Sequence, residues 1–182
     1  MTQMRHDNYF RADDYLQYLP AAAYLGIGCV GAKGRSRFLE RLSAGVTAYA
    51  VMTAFVNIAK PVFREQRPDS DSRNSFPSGH TATAFTGAEL MRIEYGPLWG
   101  AAGYSVAAAV AFLRVYNGRH WVNDVLAGAG IGILSARIGY WMLPVYRRLF
   151  GWDKTDKMNV VSVVPGYCVT YGTVSLSLSM TF

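Results

Sequence analysis

Two of the three histidines, His80 and His120, stand in short runs whose residue types suit work on a phosphoryl group. His80 closes the run Pro77-Ser78-Gly79-His80. Pro77 breaks the chain just ahead of a helical stretch, which places Ser78 and Gly79 at a helix N-terminus. Free N–H groups and the helix dipole favour an anion there. Gly79 lets the backbone come close, and Ser78 adds a hydroxyl donor. His120 precedes Asp124 at i,i+4, so on a helix the two share a face. A carboxylate that accepts the Nδ1 proton fixes the imidazole tautomer and leaves Nε2 free as a nucleophile. The same carboxylate stabilises the imidazolium that forms later.

Cations surround these runs in sequence. Lys60 ends a helical stretch and Arg67-Pro68 lies in the loop that follows. Arg114 precedes His120 across an Asn117-Gly118 turn and is expected to fold back toward it. Arginine grips two phosphate oxygens in a fork and lysine supplies a point charge. Phosphoryl transfer spreads negative charge over three equatorial oxygens, so several fixed cations answer its main need. Arg64 and Arg119 are expected at the rim or in solvent, because neighbours on a helix point in different directions. Taken singly, each of these residues also reads as a cap, a surface pair or a routine surface charge. Their coming together is what gives the pattern chemical meaning.

The elements that must position them are helical. The chain has 182 residues, with 51% apolar and only 16% charged. That leaves little polar surface for a soluble protein and points to membrane contact, although a mean hydropathy of +0.10 is low for a chain immersed in lipid. Five helical runs are expected: Leu16–Ala32, Leu42–Ala59, Gly79–Ile93, Pro97–Leu113 and Trp121–Tyr146. Gly31–Arg41 reads as a basic loop. Pro61, Pro68 and Pro77 argue against a continuous helix over 61–77. A membrane span needs about 20 mostly apolar residues. Three runs approach that, whereas Gly79–Ile93 is short and carries Glu89. Arg137, inside the last helix, is expected to face the bundle or a water-filled groove. Gly128 and Gly132 permit close helix approach. An integral membrane bundle is the expectation and a soluble or peripheral bundle the alternative.

The formal net charge of +6 lies partly in the candidate site and partly in short loops. With Gly31–Arg41, Arg92 and the Arg147–Lys157 tail on the cytoplasmic side, all three chemical runs meet on the opposite face. The basic residues form no dense stripe, which argues against nucleic acid. Cys29 and Cys168 lack metal-ligand spacing and read as free thiols. Met1–Arg11 is polar, without the apolar centre of a secretory signal. Near the C-terminus, Val174, Leu176, Leu178, Met180 and Phe182 alternate with Ser and Thr at the strand period. The expected organisation is a polar segment 1–15, a helical bundle 16–150 and a β-rich tail 151–182 with a short hairpin.

Lys60 with Arg67-Pro68, then Pro77-Ser78-Gly79-His80, then Arg114, His120 and Asp124 together resemble the three signature motifs of the type 2 phosphatidic acid phosphatase superfamily, which also includes bacterial acid phosphatases and vanadium haloperoxidases. The resemblance covers about residues 60–124, and the flanking helices extend it to about 146. One departure is Leu113, where many members have Ser. Integral members commonly have six helices against the five read here. The resemblance implies an all-α, transmembrane bundle of five to six helices. It implies hydrolysis of a phosphomonoester or pyrophosphate, most naturally of a lipid, through a phosphohistidine on His120. Asp124 would orient His120. His80 would protonate the leaving alkoxide and then activate water. Lys60, Arg67, Arg114, Ser78 and Gly79 would hold the phosphoryl oxygens. No cofactor or metal is implied, because the cations carry that charge. The implied partners are a phosphorylated lipid, or another phosphomonoester, and the membrane. The implied place is the inner membrane of a bacterial envelope, multi-pass, with the site facing the periplasm. A soluble periplasmic acid phosphatase, a vanadate-dependent haloperoxidase and a non-catalytic lipid-phosphate binder stay open as alternatives.

Overall fold

The computed structural model describes residues 11–152, together with the backbone of 161–168 and 173–180. Two units are distinct, Met1–Leu143 and Pro144–Phe182. The first is mostly helical. Short helices α1 (Ala12–Leu16) and α2 (Leu19–Gly26) precede four long ones. These are α3 (Phe38–Phe63), α4 (Gly79–Tyr95), α5 (Pro97–Tyr116) and α6 (Val122–Trp141). A further short helix, α7, spans Leu143–Phe150 and, beyond Leu143, belongs to the second unit. In the second unit Val161–Cys168 and Thr173–Met180 pair antiparallel as β1 and β2, with Val161 opposite Met180. The side chains of Cys29, of Cys168 and of the alternating C-terminal residues lie outside those described.

Several boundaries differ from the sequence expectation, each for a local reason. The run Leu16–Ala32 is not one helix. Pro20 sits in the first turn of α2, and the chain tightens into a 3₁₀ turn over Ile27–Val30 before Gly31 turns left-handed at φ 92°. Helix α3 starts earlier than expected, inside the basic stretch, because the Arg37 N–H donates to Glu40 Oε2 at 3.1 Å and caps the first turn. It also runs through Pro61. A proline so close to the end costs only bonds of the last turn, and the helix stops three residues on with Arg64 in the left-handed conformation (φ 45°). The last expected helix divides at Met142 into α6 and α7.

Helix α4 is the centre of the bundle and packs against α2, α3, α5 and α6. It is the most polar of the long helices, yet Thr81, Thr86, Glu89 and Glu94 on it are buried alongside Ala82, Ala84, Ala88 and Leu90. Small residues allow this. A Cβ on Gly128 would stand 2.5 Å from Ser78 O, and one on Gly132 would stand 2.6 Å from Ala82 O, so α6 lies directly on the α4 backbone. Glu89 is satisfied by Arg92 Nε at 2.6 Å, Tyr104 Oη at 2.6 Å and Arg137 Nε at 3.1 Å. Arg137, expected to face the bundle or a water-filled groove, reaches buried Glu89 with its guanidinium while its side chain stays 49% exposed.

The apolar helices lie outside. Phe38–Phe63, Pro97–Tyr116 and Val122–Phe150 are long and apolar enough to cross a membrane, and only 28–33% of each apolar window is buried. Leu42, Val46, Phe55, Ile58, Phe112, Leu126 and Leu134 are exposed on them. A polar helix inside and apolar helices outside is the arrangement expected when the surroundings are lipid rather than water.

Candidate active site

Four helix ends come together at one end of the bundle: the last turns of α3 and α5 and the first turns of α4 and α6. The Ser78 N–H donates to Asp124 O at 3.0 Å, tying the start of α4 to the first turn of α6. The Trp121 indole Nε1 donates to Gln66 O at 2.9 Å and ties the 64–78 loop to the same turn. Between α5 and α6, Gly118 takes φ 66°, and Arg114 O accepts from Arg119 N at 3.0 Å and His120 N at 3.3 Å. This hairpin returns His120 to the end of α5, where Arg114 sits.

His120 and Asp124 are both buried, and His120 Nδ1 lies 3.4 Å from Asp124 Oδ2. The same carboxylate oxygen accepts from Trp121 N at 2.9 Å and from the Ser75 hydroxyl. Asp124 Oδ1 is buried without a partner among the described residues. Burial first, then the guanidiniums of Arg114 and Arg67, bring the His120 imidazole down to about 4, against the upward pull of Asp124. The ring is therefore neutral at physiological pH, as a nucleophile must be. Glu65 also bears on Asp124, and burial followed by that shared negative charge holds the Glu65 carboxyl above its usual range.

Arg114 is the common neighbour. It is 4% exposed, and its charge reaches Lys60, Arg67, His80 and His120. Its Nη1 donates to Asp13 Oδ2 at 2.6 Å, while its Nε is buried with no partner among the described residues. A buried guanidinium N–H without an acceptor is costly unless a ligand oxygen supplies one. Arg67 is held by Asn74, whose Oδ1 accepts from Arg67 Nε at 2.8 Å. Lys60, in the last turn of α3, is half-buried and pairs with no carboxylate among the described residues.

Ser78 occupies the N-cap position of α4, but its hydroxyl is not used as a cap. It is fully buried and lies 3.0 Å from Thr81 Oγ1. Gly79 opens the helix with its backbone accessible. His80, in the first turn, is half-buried, and its Nε2 lies 3.1 Å from Asp14 Oδ1. Burial, then Arg114, holds the His80 imidazole below its ordinary range, opposed by Asp14 and Asp13. The residues expected at the edge are there. Arg119 pairs with Asp69 at 3.1 Å, and exposed Arg64 donates to Pro61 O at 3.2 Å. Among the described residues no group of three His, Cys, Asp or Glu side chains converges in the manner of a metal site.

Sequence reasoning missed four participants: Asp13, Asp14, Ser75 and Asn74. The acidic pair lies in the segment read as a polar N-terminal stretch and meets Arg114 across 101 positions. One signal was available. Lys60, Arg67 and Arg114 faced a single carboxylate, Asp124, and a buried cation cluster needs more counter-charge than that.

Residues 42–148, more than half of the chain, match the PAP2 superfamily. Lipid A 1-phosphatase of Porphyromonas gingivalis is 43% identical over 136 residues, covering 72% of this chain and 31% of that protein. A putative undecaprenyl-diphosphatase of Escherichia coli, YbjG, is 41% identical over 85 residues, covering 43% of this chain and 42% of that protein. The chain thus spans less than half the length of either relative. Among solved structures, Aquifex aeolicus LpxE superposes with a TM-score of 0.57 at 27% identity, over 75% of this chain and 87% of that one.

Proposed function

The chain belongs to the PAP2 superfamily and has three helices long and apolar enough to cross a membrane, and from those premises we propose that it hydrolyses the phosphomonoester or pyrophosphate of a lipid through a phosphohistidine. The observation that carries the reading is Arg114. It is a buried guanidinium whose charge reaches both imidazoles and whose Nε has no acceptor among the described residues.

In this mechanism Lys60, Arg67 and Arg114 draw the phosphoryl oxygens into the cup, with the Gly79 N–H and the Ser78 hydroxyl at the start of α4. Neutral His120 attacks phosphorus through Nε2. Asp124, on Nδ1, steadies the imidazolium character that develops on the ring. As the P–O bond breaks, His80 gives a proton to the leaving alkoxide. Water then enters on the same side. His80 takes its proton, the oxygen bonds to phosphorus, and the N–P electron pair returns to His120. The positive charge is provided by protein side chains, so the reaction proceeds without a divalent metal.

The lipid assignment rests on the surroundings of the cup. Val62, Phe63, Tyr116, Trp121 and Val122 are exposed at the same end of the bundle as the site. Such apolar and aromatic residues suit the level of lipid headgroups. The relatives' names, a lipid A phosphatase and a putative undecaprenyl-diphosphatase, point to the same class of substrate. Lys33, Arg35 and Arg37 lie near the opposite end, which supports a cytoplasmic placement for that end and a periplasmic one for the site in a bacterial inner membrane.

The test is phosphate release from detergent-dispersed lipid phosphates and lipid pyrophosphates beside a small soluble phosphomonoester. Rapid acid or base quench accompanies it, since a phosphohistidine survives base and decays in acid. A base-stable phosphoprotein with wild-type enzyme and none with His120→Ala is expected. Preference for the soluble ester, in protein that extracts without detergent, overturns the lipid assignment. Halide oxidation with added vanadate in place of phosphate release overturns the reaction.

A further inference from the structure

Sequence supplies a carboxylate partner for His120 but none for His80. The fold supplies one. Asp14, on α1, lies with Oδ1 3.1 Å from His80 Nε2, a pairing across 66 positions. The same oxygen is 3.7 Å from Arg114 Nη1, and the adjacent Asp13 holds that nitrogen at 2.6 Å. Helix α1 packs on α4 and α5 and Asp13 is fully buried, which anchors the helix end that carries Asp14, whose own side chain is 41% exposed. Two dyads result. Asp124 stands at Nδ1 of His120 and leaves Nε2 open. Asp14 stands at Nε2 of His80 and leaves Nδ1 with no protein partner among the described residues.

We propose that Asp14 is a positioning residue for the acid–base step, holding His80 with Nδ1 toward the leaving oxygen and sustaining its protonated form. The inference rests on the phosphatase reading above. In the first half-reaction the His80 imidazolium donates the Nδ1 proton to the alkoxide as the P–O bond breaks, and neutral His80 keeps its Nε2–H on Asp14. In the second half-reaction Nδ1 accepts a proton from water as the oxygen bonds to phosphorus and the N–P bond breaks. The proton taken from water returns the ring to its starting charge state, and the Asp14 carboxylate neither gives nor takes one. The charges bearing on His80 are Asp14 and Asp13 from α1 and Arg114 from α5. Lys60 of α3 bears on Arg114, and Asp124 of α6 bears on His120. Burial and Arg114 disfavour a charged His80, so a carboxylate on its far nitrogen is the group that keeps an acid available.

The experiment compares Asp14→Asn with wild type on an alkyl phosphomonoester and on p-nitrophenyl phosphate, whose leaving group needs no acid. General acid–base catalysis contributes about 10²–10⁴-fold. Asp14→Asn is therefore expected to lose about 10–100-fold in kcat on the alkyl ester, with KM within about twofold, and only a few-fold on the nitrophenyl ester. The basic limb of kcat/KM moves to lower pH, and Asp14→Glu restores much of the loss. In a His80→Ala background Asp14→Asn adds nothing, because the two act as one unit. Equal losses on both esters with an unmoved pH profile, additive losses with His80→Ala, or a rise in activity overturn the proposal. Wild-type protein that releases phosphate from neither ester, nor from a lipid phosphate, overturns the phosphatase reading itself. Active wild type with an indifferent Asp14→Asn overturns this inference alone.

Discussion

Placing a single methyl group on Gly128 tests how closely the site depends on helix contact. Gly128 lies on α6, one turn beyond Asp124, against the start of α4. A Cβ there would stand 2.5 Å from Ser78 O, 3.3 Å from Thr81 Cβ and 3.4 Å from Ala82 N. Ordinary contact begins near 3.4 Å, and the nearest atom is backbone, so relief requires the helices to separate by about 0.5–1 Å. Overpacking of this kind costs about 1–3 kcal/mol. The displaced atoms belong to the junction of the two half-sites. Ser78 N bonds Asp124 O at 3.0 Å, and His80 follows two residues later. A misplacement near 1 Å between reacting groups costs about 10²-fold in rate. Gly128→Ala is thus expected to melt lower than wild type in detergent and, where folded, to lose about 10–100-fold in kcat/KM for phosphate release. Gly130→Ala is the control. It is on the same helix, exposed, with nothing within 4 Å of the added Cβ. Alanine is the better helix former by about 0.5–1 kcal/mol, so this variant should melt no lower than wild type and keep its activity. Gly128→Ala indistinguishable from wild type in both measurements, or matched in its losses by Gly130→Ala, would refute the contact argument.

Other outcomes follow from the same geometry. His120→Ala should abolish hydrolysis of a lipid phosphomonoester and His80→Ala should lower it by about 10²–10⁴-fold, leaving a measurable residue, and EDTA should leave the wild-type rate unchanged; strong EDTA inhibition would defeat the metal-free mechanism. The acid limb of kcat/KM should fall near pH 4, set by His120, rather than near the ordinary histidine value of 6.5, and the basic limb should follow His80 below that value, giving an acidic optimum. Stability follows the same linkage. The folded state holds His120 neutral while the unfolded chain takes up a proton, so the stabilisation is complete above about pH 6.5 and is lost as pH falls toward 4, measurable as a declining melting temperature. Glu89→Ala removes the acceptor shared by Arg92, Arg137 and Tyr104, and should cost at least about 2 kcal/mol in thermal or denaturant melts. Because Glu89 is far along α4 from His80, the folded variant should retain its kcat.

The His120–Asp124 pairing, the helix start after Pro77 and the mostly helical character are legible in the sequence. His120 and Asp124 are one helical turn apart, and Pro77-Ser78-Gly79 announces a helix start. Those relations are local, set by the 3.6-residue period and by backbone preferences, so they are visible without a fold. The long apolar runs behind α3, α5 and α6 are legible for the same reason. Tertiary structure alone decided the counter-charges. Asp13 and Asp14 reach Arg114 and His80 across 101 and 66 positions, and Ser75 reaches Asp124 across 49. No periodicity marks such partners, because a carboxylate at the end of a short helix looks the same whether it meets water or a buried guanidinium. Packing also reversed one expectation of polarity. Helix α4, whose composition looked too polar and too short for a span, is the buried centre, because glycines on α6 let it approach closely while the apolar helices turn their larger side chains outward.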